Sequence, residues 1–567
     1  VTPTGTDQRA RPLVRRLRRI AGLPSGDAPG EAGARVSHLH RVEQEAAGLD
    51  QDETRQLRSV RRFGACGTVL MAVGALGAGA QPVLQNPVYG HRVIGLLSRM
   101  PTVALTVAMT GTAMLVIAWL LLGRLAVGRL REGNTPRRLS RSQMDRTMLL
   151  WMLPLLVAPP MFSKDVYSYL AQSEITARGL DPYSLGPAQA LGVDNVLTRS
   201  VPTIWRDTPA PYEPLFLWLG KVIGAVSGDN VVAGVLLHRL LEVGGVCLII
   251  WALPRLAKRC GIAPVTSLWL GAANPLVFLH LIAGIHNEAL MIGLMVAGLE
   301  ICLRAVYDTD PFGMRGWLLL LAGAGVIVAS SAIKIPSIMA LGFVGVAFAR
   351  RRGPGLRNVV WVAVLLGAIA VAGQALFAWA TGLGFGWVAT LGTASEVRSW
   401  MSITTLLGMG TGGTGMLLGL GNHTTAVLAI MKPIAFVLVA LGVLRMLIAT
   451  HSGRIHPVGG LGVSLAILVI LFPVVHPWYL LWALVPLAAW ATTPAFRVPA
   501  VAVSAIVCLV GPTPNGGEYP PFVIVEAALA ALLTIVVIRQ ATRRRIEWTR
   551  RQPGRTAAPP ATYAGKS

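Results

Sequence analysis

The sequence predicts an all-α polytopic membrane protein, and three observations carry that prediction. Hydrophobic residues make up 53% of the chain and charged residues only 13%, a balance too apolar for a soluble multidomain protein. Apolar runs near the roughly twenty residues that a bilayer core requires recur from about 63 onward. The Arg and Lys excess, which gives a net charge of +24, falls in short connections and the two tails, where such residues set orientation. In a soluble chain that charge would suggest nucleic acid. No basic-aromatic module accompanies it, so no nucleic-acid partner is expected.

Taken in order, residues 1–62 hold a basic run (Arg15, Arg16, Arg18, Arg19), a break from Leu23 to Gly33 and a polar segment from Arg35 to Arg62. They are expected to form a cytoplasmic, partly disordered arm with a membrane-surface helix. No signal-type apolar core precedes Phe63, so the first span is expected to be the membrane address. Spans at about 63–83 and 102–124 flank a turn at Gln85-Asn86-Pro87, and the Arg-rich connection from Arg124 to Arg146 is placed in the cytoplasm. A third span at about 148–162 then runs outward. It delivers Ser163-Lys164-Asp165 into a first exterior loop, 163–229, that carries Glu174, Arg178, Asp181, Arg206 and Glu213 among Tyr183, Trp205 and Tyr212.

Within that loop, Leu215 to Val226 is too short to cross and reads as re-entrant or interfacial. Further spans are expected at about 230–253, 264–284, 288–306, 317–333, 336–350 and 357–381. A second exterior loop, 382–423, has a Gly-rich part from Gly408 to Gly421 that reads as flexible. Spans at about 424–449 and 458–475, turns near Arg497 and Asn515, and a last span ending in Arg543-Arg544-Arg545 complete a catalytic domain of 63–545. A cytoplasmic basic tail, 546–567, follows. The count is about fourteen crossings with both termini cytoplasmic.

The chemistry gathers at the exterior turns. Asp165 starts an amphipathic pattern with Val166, Tyr169 and Leu170, where partial burial would raise its pKa and suit it to proton abstraction; a solvated loop acid or helix cap after Ser163 is the plainer reading. Lys334 fits an interfacial lysine or a phosphate contact equally. His286 and Glu288 open a span, as a cap with an interfacial pair or as site groups. His476, Trp478 and Tyr479 suit an aromatic belt or a sugar-stacking platform. Arg239 and Glu242, one helical turn apart, are expected to pair within the membrane. The five cysteines suggest neither a disulfide framework nor a metal knuckle. A lipid-linked oligosaccharide flippase or other transporter would gather its charges deep in broken spans. Here the deep candidates are few: Glu242, Glu300, Lys432 and Glu526.

Several motifs in order resemble one family. Asp165-Val166-Tyr167-Ser168-Tyr169, Asp181-Pro182-Tyr183, Asn274-Pro275-Leu276, Gly284-Ile285-His286-Asn287-Glu288, Ser399-Trp400-Met401-Ser402 and His476-Pro477-Trp478-Tyr479 look like the polyprenol-phosphomannose-dependent α-1,6-mannosyltransferases of mycolic-acid-bearing actinobacteria. These are GT-C-type glycosyltransferases, and the likeness runs from about Phe63 to Arg545. The N-terminal arm and the Gln85-Asn86-Pro87 loop resemble the branch that starts the lipomannan core. The resemblance implies a polyprenyl-phosphate mannose donor, a mannosylated phosphatidylinositol or lipomannan acceptor, and inversion by single displacement. Asp165 would be the base, with Lys334, His286 and Arg239 at the donor phosphate. Tyr167, Tyr169, Glu213, Glu288, His476, Trp478 and Tyr479 would bind the acceptor or sugar. A related enzyme using arabinose, or one extending the mannan, would share this pattern. Many GT-C loops carry adjacent acids where this chain has Lys164-Asp165, so a divalent metal is possible but lacks a clear site. The last acid of the family's His-Asn-Asp pattern is Glu288 here.

Overall fold

The computed structural model describes residues 38–130, 137–396, 399, 401–510 and 520–551. The basic run at Arg15 to Arg19, the Asn515 turn and the end of the tail lie outside them. The described chain is mostly helical, and its strands are a single pair of two residues each. Its α-helices of eight residues or more are α1 (Gln51–Ala78), α2 (Pro101–Ala126), α3 (Arg141–Met152), α4 (Asp165–Ala177), α5 (Pro214–Ser227), α6 (Val231–Arg259), α7 (Pro264–Gly271), α8 (Glu288–Tyr307) and α9 (Met314–Ser331). They continue as α10 (Met339–Arg352), α11 (Leu356–Thr381), α12 (Ile403–Leu417), α13 (Thr424–His451), α14 (Pro457–Leu471), α15 (Leu480–Ala488), α16 (Pro494–Val510) and α17 (Pro521–Arg551).

Among the described residues, seven helices are long and apolar enough to cross a membrane: α2, α6, α8, α9, α11, α13 and the Pro521–Gln540 part of α17. The helix over the first expected crossing, α1, is 28 residues long but begins in polar sequence, and the remaining expected crossings are shorter or broken. The expected third span is α3 followed by a 3-10 turn, Leu153–Leu156, with no regular helix through Pro159 and Pro160; proline removes the amide a helix needs. The expected span at 264–284 is α7, an interruption at Asn274-Pro275, and a π-helical turn, Val277–Ala283.

Two other expectations change. The Gly-rich stretch read as flexible is mostly helical, as α12, because Ser402 caps it by accepting the Thr405 amide at 3.2 Å. The first helix starts at Gln51 rather than near 63. Asp50 and Glu53 form a reciprocal capping box that begins it in polar sequence, before the apolar run. The chain just before it, assigned to a surface arm, packs into the body. Ala47–Gly48 pairs in parallel with Arg137–Arg138, and the buried Glu43 carboxylate lies 2.6 Å from Arg497 and 3.4 Å from Arg138.

Close crossings fix the centre of the bundle. In lipid, helices gain little from burying one apolar face against another, so small residues that let backbones touch decide their approach. A Cβ on Gly293 of α8 would lie 2.3 Å from the Gly245 carbonyl oxygen of α6. On its other side α8 meets α9, where a Cβ on Gly298 would lie 2.7 Å from Gly323 O. Just above the α6 crossing, Glu242 accepts the Leu290 amide at 3.0 Å, supplying an acceptor to a first-turn N–H that has none within its helix. Arg239 does not pair with Glu242 as expected. Its guanidinium donates to Leu156 O at 2.9 Å and Ile282 O at 3.2 Å, both in turns where the regular helical ladder is interrupted.

Gly293→Ala is therefore expected to lower stability by about 1–3 kcal/mol through overpacking, whereas Gly325→Ala, whose Cβ would meet nothing within 4 Å, is expected to be neutral. Thermal melting of the two purified variants in detergent checks this, and equal melting would contradict a backbone-tight crossing.

Candidate functional site

The site forms where the N-terminus of α8, the chain after α9 and the turn before α15 meet the start of α4. Asp165 is the first residue of α4, and its amide donates to Ser163 Oγ at 3.0 Å. The Asp165 side chain, 24% exposed, has Oδ2 3.2 Å from Nδ1 of the buried His286. His286 lies on the turn from the π-helix into α8, directly after Ile285, a buried β-branched residue at φ 59°. Such a conformation is costly for a β-branched side chain and persists only where its surroundings hold it. The imidazole stacks on Trp478 with ring centroids 3.5 Å apart, and His476 stacks on Trp478 at 4.7 Å.

Beside this stack lies a second charged group. Lys334 Nζ forms an ion pair with Glu288 Oε1 and donates to Tyr479 OH at 3.3 Å. Its ammonium also lies 4.6 Å above the Tyr479 ring, a cation–π contact that helps hold it in a buried place. Glu213, the residue before α5, accepts the Ile335 amide at 2.7 Å, so the first loop is tied to the residue following Lys334.

These groups surround a cavity of about 120 Å³ lined by Asp165, Glu288, Lys334, His476, Trp478, Tyr479 and Tyr169, together with Ser168, Gln172, Asn287, Trp205 and Tyr212. Most of the expected residues thus come together. His286 stands directly behind Asp165. Four do not line the cavity: His286 contacts it only through Asp165, Tyr167 donates to Ala80 O at 2.7 Å, Arg239 serves the carbonyls described above, and Glu213 brackets the loop. Sequence reading did not single out Ser168 and Gln172, although they follow Asp165 at i+3 and i+7 on one helical face, which is the signal that finds them. The Asp181-Pro182-Tyr183 motif is a turn in which Asp181 Oδ1 accepts the Tyr183 amide at 2.9 Å. Tyr183 packs with Leu217 and Trp387, joining the two loops.

The electrostatics differ from expectation at Asp165. Burial does act to raise its carboxyl, but the contact with His286, reinforced by His476 and Ser163, outweighs it and holds the group below its ordinary range. Asp165 is therefore ionised at neutral pH. Burial pushes His476 down to about 4, so it is neutral there. Lys334 is held above the ordinary lysine range because Glu288 and Tyr479 outweigh its burial. Burial pushes Glu213 up to about 8, against the opposing Ile335 amide and Lys334. Among the described residues, no three His, Cys, Asp or Glu side chains are grouped to hold a metal ion.

Bundle and cavity together define the class: a polytopic helical membrane enzyme whose polar site is assembled from helix ends and loops. Residues 61–350 match the family described as Alpha-(1->6)-mannopyranosyltransferase, N-terminal domain, and residues 404–540 match the MptB C-terminal domain. The chain belongs to this alpha-(1->6)-mannopyranosyltransferase family, in its MptB-like branch. It is 53% identical over 530 residues to a probable alpha-(1->6)-mannopyranosyltransferase of Mycolicibacterium smegmatis, covering 91% of this chain and 93% of that one. It is 50% identical to an alpha-(1->6)-mannopyranosyltransferase of Mycobacterium tuberculosis, covering 90% and 92%. With alpha-(1->6)-mannopyranosyltransferase B of Corynebacterium glutamicum the identity is 40%, over 85% and 81%. No solved structure matches the chain.

The raised Glu213 carboxyl gives a stability test with a definite sign. Between the ordinary glutamate range and about pH 8, the fold keeps a proton that the unfolded chain releases, so stability from the neutral carboxyl is lost as pH rises through that window. Glu213→Gln has no such dependence. The melting temperature of the variant minus that of the natural chain is expected to grow from pH 5 to 8 and then level off; a constant difference would contradict the buried neutral carboxyl.

Proposed function

We propose that this chain is a GT-C-type inverting transferase that moves mannose from polyprenyl-phosphate mannose to the 6-hydroxyl of an α-1,6-mannan or mannosylated phosphatidylinositol acceptor. The observation that carries the reading is the Asp165 carboxylate, ionised, facing the cavity and backed by a buried imidazole. Family membership supports the sugar and the linkage. The Arg-rich connections support a site on the exterior face with both termini in the cytoplasm, and the B-type likeness supports a role in starting the mannan.

In this reading the acceptor 6-oxygen attacks the anomeric carbon from the face opposite the phosphate. The bond from that carbon to the phosphate oxygen breaks, its electron pair leaves with the lipid phosphate, and the acceptor proton passes to Asp165. Such base catalysis contributes about 10²- to 10⁴-fold. His286 acts through Asp165, fixing its orientation and keeping it ionised. The leaving phosphate is a weak base that needs hydrogen-bond donors and charge more than a proton. Lys334 supplies them. Glu288 holds that ammonium in place but offsets its charge, so Lys334 works more as an aimed donor than as an unbalanced cation.

Transfer from radiolabelled mannosyl-phosphopolyprenol to a dimannosyl-inositol lipid in membranes tests the reading at matched expression. Asp165→Asn is expected to lose about 100-fold or more, and survival of transfer would overturn the assignment of the base. His286→Gln is expected to retain measurable transfer while its acid limb of kcat/KM moves to higher pH, because the contact that depresses the Asp165 carboxyl is gone. An unmoved limb would contradict the positioning role.

A further inference from the structure

The cavity holds a row of polar side chains that the transfer step does not use. Ser168 Oγ, Gln172 Oε1 and both side-chain polar atoms of Asn287 are buried and have no hydrogen-bond partner within the fold, and all three residues line the cavity. Ser168 is 3% exposed, Gln172 2% and Asn287 1%. Buried polar groups are satisfied almost everywhere in proteins, so a set left unpaired around one cavity calls for a partner that the protein itself does not supply. These groups are a hydroxyl and two amides. Neutral groups that both donate and accept suit a neutral polyol rather than an anion.

Their placement says which polyol. Asp165, Ser168 and Gln172 follow one face of α4, and at the helical rise the strip extends about 10 Å from Asp165, longer than one pyranose ring. Trp205, from the first loop, supplies an apolar side to the same cavity, as a sugar with one apolar face requires. Because the proton acceptor stands at one end of the strip, the ring beside it is the one that loses a proton.

Resting on the reading of the site as a mannosyltransferase, we infer that Ser168, Gln172 and Asn287 form an acceptor-sugar subsite. They read the ring hydroxyls of the acceptor mannosides and so set which acceptor is used, while taking no part in the chemical step. A site built to hydrogen-bond a hydroxyl rejects analogues that lack it, because its own buried groups are then left unpaired.

The test uses the full chain in membranes with an alkyl α-1,6-dimannoside and its singly deoxygenated analogues as acceptors. Gln172→Ala is expected to raise the acceptor KM about 10-fold or more with the donor KM unchanged. It is also expected to lose discrimination against one deoxy analogue that the natural chain rejects. Ser168→Ala removes a hydroxyl the fold does not use, so it should melt like the natural chain and lose discrimination against a different analogue. That variant decides the matter if the Gln172 change unfolds the protein. An unchanged acceptor KM, a uniform loss across all analogues, or a shift confined to the donor KM would each overturn the subsite. Failure of the underlying reading is separate: it shows as no mannosyl transfer by the natural chain, or as transfer that survives Asp165→Asn.

Discussion

The contact between Asp165 and His286 depends on nearly every other feature of the site. An ionised carboxylate in a mostly enclosed cavity is costly unless a partner stands close, and the partner here comes from a turn more than a hundred residues further along the chain. That turn, which bears the cost of the left-handed Ile285, is held by two things: the stacking of His286 on Trp478 and the N-terminus of α8. The latter is fixed by the Gly245–Gly293 crossing and by Glu242, which accepts its Leu290 amide. The helix packing thus reaches the Asp165–His286 contact through one short, strained turn.

A second constraint is charge compensation. Lys334 and Glu288 pair at the cavity wall, and the neighbouring Glu213 carboxyl is kept neutral by burial while bracing the residue after Lys334. Three ionisable side chains meet there without an uncompensated ion. In the proposed reaction, a lipid phosphate entering this cavity would meet donors held in place rather than a strongly positive patch. Positioning, more than bulk charge, is what such an arrangement offers a leaving group.

Much of this was legible in the sequence. Composition and apolar runs gave the helical membrane class, and the ends of those runs marked the segments that supply Asp165, His286, Glu288, Lys334 and Tyr479. Span lengths were less legible, because proline breaks the chain after α7 and after α3 in ways hydropathy averages over. The start of α1 was hidden because a capping box, not apolarity, begins it. The Arg239–Glu242 pairing failed because helical spacing says which side chains are near each other and not which unpaired backbone groups compete for them. The sign of the Asp165 shift was also out of reach, since it depends on an imidazole brought in by tertiary packing. Ser168 and Gln172 were visible as a helical face. Their lack of partners was not, because an unsatisfied group is a property of the packed structure.

A structure of the chain with a dimannosyl acceptor bound tests the role of Asp165 most directly. The acceptor 6-oxygen is expected within about 2.6–3.2 Å of an Asp165 carboxylate oxygen, with the sugar rings lying along Ser168 and Gln172. An acceptor whose 6-oxygen sits instead against Glu288 or Glu213, or one bound away from α4, would contradict it.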